Sequence, residues 1–193
     1  MEVKMPDLCS SIFKLKTPLS EEDSMSLNVG DIVYLSGILY TMRDMAHVRA
    51  LELLRRRDKL PFDLRGEVIY HCGPLLKVGE VISAGPTTSM RIEGMEAELI
   101  ELTGLRGIVG KGGMGERTAG ALRRFGAVYM EFPGGAGALA AKAIKRVRDV
   151  YWRDLGDPEA VWVLEVEDFG PCIVTMDSKG GNFRTMRGAK TSK

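Results

Sequence analysis

Apolar positions along the chain follow two regimes, and the change comes near residue 85. Before it, short runs rich in β-branched and aromatic residues alternate with turn signals, a pattern that predicts strands. Ser11-Ile12-Phe13-Lys14-Leu15 is one such run, broken by Thr17-Pro18; Ile32-Val33-Tyr34-Leu35-Ser36-Gly37 is another, entered through the turn Val29-Gly30-Asp31. Residues 67–72 predict a strand that runs into the turn Gly73-Pro74, and residues 78–84 predict a further extended segment. One helix interrupts this region, over residues 41–58, with Ala46, Leu51 and Leu54 on part of an apolar face. Its start, Thr41-x-x-Asp44, fits a capping box with Asp in place of Glu. The acidic Glu21-Glu22-Asp23 reads as a solvated loop.

Beyond residue 85 strands and helices alternate. Ile92, Met95, Leu99 and Leu102 recur at spacings of three and four, which predicts a helix that Gly104 stops. A strand over 105–109, a glycine-rich loop over 110–115, a helix over 116–125 ended by Gly126, and a strand over 127–132 follow. Pro133-Gly134-Gly135-Ala136-Gly137 then opens a predicted helix over 138–150, before strands over 160–166 and 172–177 and a turn over 178–182. The basic tail, about 184–193, has few apolar residues and is expected to be mobile. The whole pattern predicts one α/β domain over residues 1–193, without a linker or an internal repeat.

Composition narrows the function classes. The chain is 45% hydrophobic and 27% charged with a formal net charge of +1, a balance that argues against a nucleic-acid or anionic-membrane partner. No apolar run approaches the roughly 20 residues that span a bilayer, and the N-terminus lacks the apolar stretch of a signal peptide. Cys9, Cys72 and Cys172 are odd in number, scattered and without CxxC spacing. Neither a disulfide framework nor a local metal site follows from them, and a reducing cytoplasm is the natural location. The only histidines are His47 and His71, so no metal site within this chain is expected.

Arg43, Arg91 and Lys111 each lie in or just before the first turn of a predicted helix. A helix N-terminus carries partial positive charge and favours acids by about 0.3–1 kcal/mol. Three cations at such places, beside free backbone N–H groups, therefore suggest an anion-binding pocket. The alternative for each is a solvated surface cation. Two arginines and a lysine converging would suit a dianion, since Arg grips a planar carboxylate through two donors and Lys adds a point charge. Thr87 and Thr88 are either helix-capping hydroxyls or hydrogen-bond donors to a carboxylate. A threonine that moves protons would need an activating neighbour. His47, at i+4 from Arg43, either bridges Asp44 or is a structural histidine. Arg55-Arg56-Arg57 closes the helix with the charge its C-terminus prefers. The chain contains no evident electrophile, so a complete enzyme would need another subunit.

A rival reading is a dinucleotide-binding module. Gly110-x-Gly112-x-x-Gly115 stands between a predicted strand and helix, and Glu131 ends the next strand, where such folds place their ribose acid. Against it, Lys111 lies on the pyrophosphate path, and the later strands do not supply a second mononucleotide half. A Walker A loop fails because Gly112 stands where Ser or Thr would bind magnesium.

Five motifs in order cover most of the chain: Tyr40-Thr41-x-Arg43-Asp44-x-x-His47, Tyr70-x-x-Gly73-Pro74, Pro86-Thr87-Thr88-Ser89-x-Arg91, Gly110-Lys111-Gly112 and Gly134-Gly135. The set resembles the C-terminal, beta-subunit part of the class I iron–sulfur fumarate hydratases and L-tartrate dehydratases. One departure is Ile92-Glu93 after Arg91, where the family commonly has Met-Asp. The resemblance implies a swivelling β/β/α domain, a mixed sheet with helices packed on it, that closes over a site shared with an alpha subunit. That partner would hold a [4Fe–4S] cluster, none being bound by this chain alone. The implied activity is a hydro-lyase acting on a small dicarboxylate, hydrating fumarate to malate, with L-tartrate dehydration as the alternative. By position, Arg43, Arg91 and Lys111 match the substrate-carboxylate contacts, Thr88 accompanies them, and Thr87 matches the acid/base hydroxyl. Asp44 and His47 belong to the motif as supporting residues. A homo-oligomer of the isolated chain stays open as an alternative.

Overall fold

The structure, a computed structural model, describes residues 10–188. Its centre is strand β2 (Ile32–Thr41), which pairs in parallel with β1 (Ile12–Lys16) and β3 (Val68–Tyr70). Parallel pairing continues from β3 to β6 (Gly107–Gly110) and on to β7 (Val128–Glu131). The long β9 (Val161–Met176) runs antiparallel to β7 and also to β2, so β2, β3, β6, β7 and β9 close into a ring. β1 and β8 (Ile144–Tyr151) flank that ring, giving a mixed α/β fold. A separate hairpin, β4 (Leu75–Lys77) with β5 (Glu80–Ser83), stands beside it.

Strand alternation supplies two cores, as a period of two requires. Val68, Tyr70, Val109, Val128 and Met130 point into one cluster with Leu35, Leu39, Trp162, Leu164 and Phe169. Their neighbours Ile69, Ile108 and Tyr129 point the other way, against Ala46, Ala50 and Leu51 of α2 (Asp44–Arg55), Leu99 and Ile100 of α3 (Glu93–Thr103), and Ala121 and Leu122 of α4 (Glu116–Phe125). Each fully buried Leu, Ile or Val there stabilises the fold by about 1.5–3 kcal/mol. The three helices thus form a layer over β3, β6 and β7, and the connections that enter them all leave one end of the sheet.

Most predicted elements are present, with four corrections. Glu21-Glu22-Asp23 opens a short helix, α1 (Glu21–Ser26), capped by Ser20 and Asp23 in reciprocal hydrogen bonds, rather than a loop. Thr41 is not a helix cap. It ends β2, where its hydroxyl accepts from the Trp162 N–H at 3.0 Å and donates to the Ala160 carbonyl at 3.3 Å, and the N-cap of α2 is Arg43. The helix expected over 138–150 is only α5 (Gly137–Ala143), followed by β8. Ile144, Val147 and Val150 recur every third residue, which imitates a helix, but register shifts between Ile144 and Arg146 and between Val147 and Asp149 bulge the strand. Each bulge adds a residue and returns the next apolar side chain to the same face. The two last predicted strands are one continuous strand, β9. Of the tail expected to be mobile, residues 189–193 lie outside the described residues, and α6 (Phe183–Gly188) occupies its beginning.

Candidate active site

Thr41, Tyr70, Val109 and Met130 lie side by side across β2, β3, β6 and β7. Because these strands are parallel, the residues that follow emerge along one edge: Arg43 and Asp44, His71 and Gly73, Lys111, and Glu131. Carboxyl ends of parallel strands are where α/β sheets bind ligands. Arg43 and Lys111 leave strands two apart, which corresponds to about 10 Å at the usual strand spacing.

The segment between β5 and α3 is laid across this edge. Pro86 pairs with Cys72 and Thr88 with Lys111. The Thr87 N–H donates to the His71 carbonyl at 2.6 Å, and the Ser89 N–H to the Lys111 carbonyl at 3.0 Å. The chain then makes a short 3-10 turn, Ser89–Ile92, that delivers Arg91 to Asp44 at 3.1 Å. Arg43, Asp44, Arg91, Thr87, Thr88 and Lys111 therefore share one edge, linked by successive contacts. Thr88 and Arg91 are exposed and the other four half-buried, so the cations face an open surface, not a sealed cavity. The wider hollows, about 640 and 700 Å³, lie at the opposite, amino ends of the strands, around Arg65 and Thr103.

Each cation is held differently. The Arg43 Nη2 is 3.4 Å from Glu159, whose other oxygen accepts from the Met45 N–H at 2.9 Å. The Arg43 Nε is buried without a partner among the described residues. A Cβ at position 73 would sit 2.6 Å from Arg43 Nη1 and 2.6 Å from the Pro158 carbonyl. Glycine in Tyr70-x-x-Gly73-Pro74 thus makes room for the guanidinium. The Lys111 ammonium has no carboxylate partner among the described residues.

Below this surface lies a polar network that pattern reading did not find. His47, His71, Glu96 and Ser89 are all fully buried. Glu96 Oε2 is 3.2 Å from His47 Nε2 and 3.0 Å from His71 Nε2. His47 Nδ1 meets the Arg43 carbonyl at 2.8 Å, and His71 Nδ1 meets Ser89 Oγ at 2.9 Å. Ser89 Oγ also accepts from the Tyr129 hydroxyl at 2.9 Å. A Cβ at Gly110 would fall 1.9 Å from that Oγ, so only glycine lets the serine approach β6. Burial works against the charge on Glu96, but the His71 and His47 rings outweigh it and hold the carboxyl at about 2. Burial pushes the His71 ring down, with Glu96 opposing. Three ligand-type atoms here lie within 4.8 Å of one another, yet each ring nitrogen already has a hydrogen-bond partner, so the geometry is accounted for without an ion. His47 accordingly turns inward to Arg43 and Glu96, not to Asp44.

The signal for the network was present in the sequence. Glu96 stands four residues after Ile92 and three before Leu99, in the middle of the apolar stripe of α3, where an acid is costly unless paired.

The glycine loop is closed by the protein's own acids. Glu93 accepts from the N–H groups of Gly115 at 2.8 Å, Arg117 at 3.1 Å and Thr118 at 3.2 Å, and from the Thr118 hydroxyl at 2.7 Å. That saturates the N-terminus a pyrophosphate would need. Glu131 accepts from the Gly112 N–H at 3.2 Å, Thr175 at 3.0 Å and Arg184 at 2.6 Å. Burial opposes its ionisation, but those donors hold the carboxyl below its ordinary range. Beyond β7 the next strand is antiparallel, not a second mononucleotide half. The dinucleotide reading does not fit this geometry.

Comparison with known proteins agrees with the motifs. The family described as Fumarase C-terminus matches residues 5–186. A Methanocaldococcus jannaschii protein, whose name assigns it as an L(+)-tartrate dehydratase beta subunit, is 50% identical over 86% of this chain and 87% of its own length. The L(+)-tartrate dehydratase beta subunit of Escherichia coli K12 is 45% identical over 88% of this chain and 85% of its own. A Geobacillus stearothermophilus protein, assigned by name to fumarate hydratase class I, is 41% identical over 89% of this chain but only 33% of its own. The chain belongs to the Fumarase C-terminus family.

Proposed function

We propose that this chain is the beta subunit of a two-subunit hydro-lyase that hydrates fumarate to malate reversibly. What supports it most is the gathering of Arg43, Arg91 and Lys111, with the hydroxyls of Thr87 and Thr88, at one open edge of the ring. A specific observation favours L-tartrate as a second reading: the two stand-alone relatives above, of nearly the same length, carry that name. In this proposal residues 1–193 form one domain that swivels to close over an alpha partner in the cytoplasm. No helix among the described residues is long and apolar enough to cross a membrane. Exposed Met45, Val48 and Met90 flank the clamp in sequence and give a partner apolar surface to cover.

The [4Fe–4S] cluster of this reading belongs to the alpha partner. Among the described residues the thiols are Cys72 and Cys172, both buried. Burial pushes Cys72 up to about 12 and raises Cys172 as well; a cluster needs thiolates. This chain's part is electrostatic. Asp44 and Glu159 aim the two guanidiniums, which with Lys111 grip the two carboxylates of the substrate. The same cations stabilise charge that builds on a carboxylate when the adjacent carbon loses its proton. Thr87, once activated by a group of the partner, carries that proton.

The test is to purify the chain with its alpha partner and assay fumarate, malate and L-tartrate. The assembled pair is expected to turn over one diacid, and the chain alone none. Failure of the assembled pair on all three would overturn the reading.

A further inference from the structure

Glu96 occupies the one point where the supports of all three cation-bearing segments meet. His47, on α2, reaches back to the Arg43 carbonyl. His71 holds the 87–91 segment twice, through its own carbonyl to the Thr87 N–H and through Nδ1 to the Ser89 hydroxyl. Ser89 in turn binds the Lys111 carbonyl through its N–H. Both imidazoles converge on a single oxygen of Glu96.

We propose that Glu96 is a positioning residue for the clamp, pairing with a doubly protonated His47 and a neutral His71 and so keeping the Arg43, 87–91 and Lys111 segments in register. This rests on the reading of the clamp as a dicarboxylate site. The proton placement follows from which atoms can donate. A carbonyl only accepts, so the His47 nitrogen facing the Arg43 carbonyl carries a proton. Its other nitrogen faces a carboxylate oxygen, which also only accepts when ionised, and so carries one too. Ser89 accepts from Tyr129 and has its own proton available for His71 Nδ1, the arrangement that keeps this fully buried ring uncharged. His71 is left with its proton on Nε2, donated to Glu96. The set then sums to zero charge, the condition under which a buried ion pair is tolerable. Asp44, on α2, adds a small electrostatic pull that favours the charged His71 ring, opposed by its burial.

The remaining oxygen of Glu96, Oε1, is buried without a partner among the described residues. The hold on both rings therefore depends on Oε2 alone. Loss of its charge releases His47 from α2's first turn and His71 from the 87–91 segment together. Displacing a clamp group by about 1 Å costs on the order of 100-fold in rate.

The experiment uses the assembled complex with this chain carrying Glu96→Gln, beside Lys111→Ala. Glu96→Gln is expected to raise KM for the diacid at least about tenfold with the complex still assembled, as misplaced carboxylate grips require. An unchanged KM in Glu96→Gln, with turnover lost in Lys111→Ala, would overturn the proposal. Near-normal turnover in Lys111→Ala marks failure of the clamp reading instead. A second measurement needs neither turnover nor a variant. With this chain's two histidines labelled by nitrogen-15 in the complex, one ring should be protonated on both nitrogens at neutral pH, as its two acceptor partners require. The other ring should carry its proton on Nε2. Two neutral rings, or shifts typical of a bound metal ion, would overturn the assignment.

Discussion

Helices α2 and α4 both start at the carboxyl edge of the ring, and their first turns are filled in opposite ways. At α4, Glu93 makes four hydrogen bonds and leaves little for a ligand. At α2, Glu159 takes one backbone N–H and leans on Arg43 at 3.4 Å, whose Nε stays unpartnered. The glycine-rich loop, the more conspicuous pattern, precedes the closed terminus. The open one is introduced by an arginine. A helix N-terminus is available to an anion only so far as the protein's own acids leave its N–H groups unbound.

This contrast can be broken in several ways. Lys111→Ala carries the largest expected effect, a loss of about 100- to 1000-fold in kcat with the complex assembled; turnover within a few-fold of normal would remove Lys111 from the chemistry and leave the glycine-rich loop without a part in it. Next is acid. Below about pH 6.5 the unfolded chain binds a proton at His71 that the folded chain resists, since its ring is pushed down. Glu96 adds to this between its unfolded range near 4.5 and its folded value of about 2. Each of these two groups binds more protons unfolded, so each makes a contribution to stability that is lost as pH drops through its own range, by about 3 kcal/mol for Glu96. Thermal melts of the purified chain across that interval check the sign, and the slope should flatten in Glu96→Gln. Glu93→Ala removes a cap, so a loss of about 1–2 kcal/mol is expected, or roughly 2–8 °C in Tm. Turnover should persist; a drop in turnover at unchanged Tm would place α4 in the site. The smallest expected effect is none: a dinucleotide should leave the Tm of the chain unchanged.

Where the sequence was legible, one period dominated. α4 and its stop at Gly126 were readable because strand, loop and helix each kept one spacing, and Arg43, Arg91 and Lys111 drew notice because cations at helix starts conflict with local electrostatics. β8 was misread because two bulges give a strand the spacing of a helix. α1 was missed because six residues are too few for a period, although Ser20 and Asp23 form its cap. The Thr41 cap failed because tertiary pairing with β9 claimed the hydroxyl. His71, Ser89 and Glu96 come from three segments, and only folding shows that they touch.

The closure of β2 onto β9 has a consequence for the chain on its own. A ring leaves no central strand with unused backbone groups, and among the described strands of the main sheet β1 and β8 end the order. β1 bears Lys14 and Lys16, and β8 bears Lys145, Arg146 and Arg148. Lys14, Lys145, Arg146 and Arg148 pair with acids of β9, and edges carrying such charged side chains discourage one molecule from adding its strands to another. The main sheet therefore offers a second copy of the chain little edge on which to extend it.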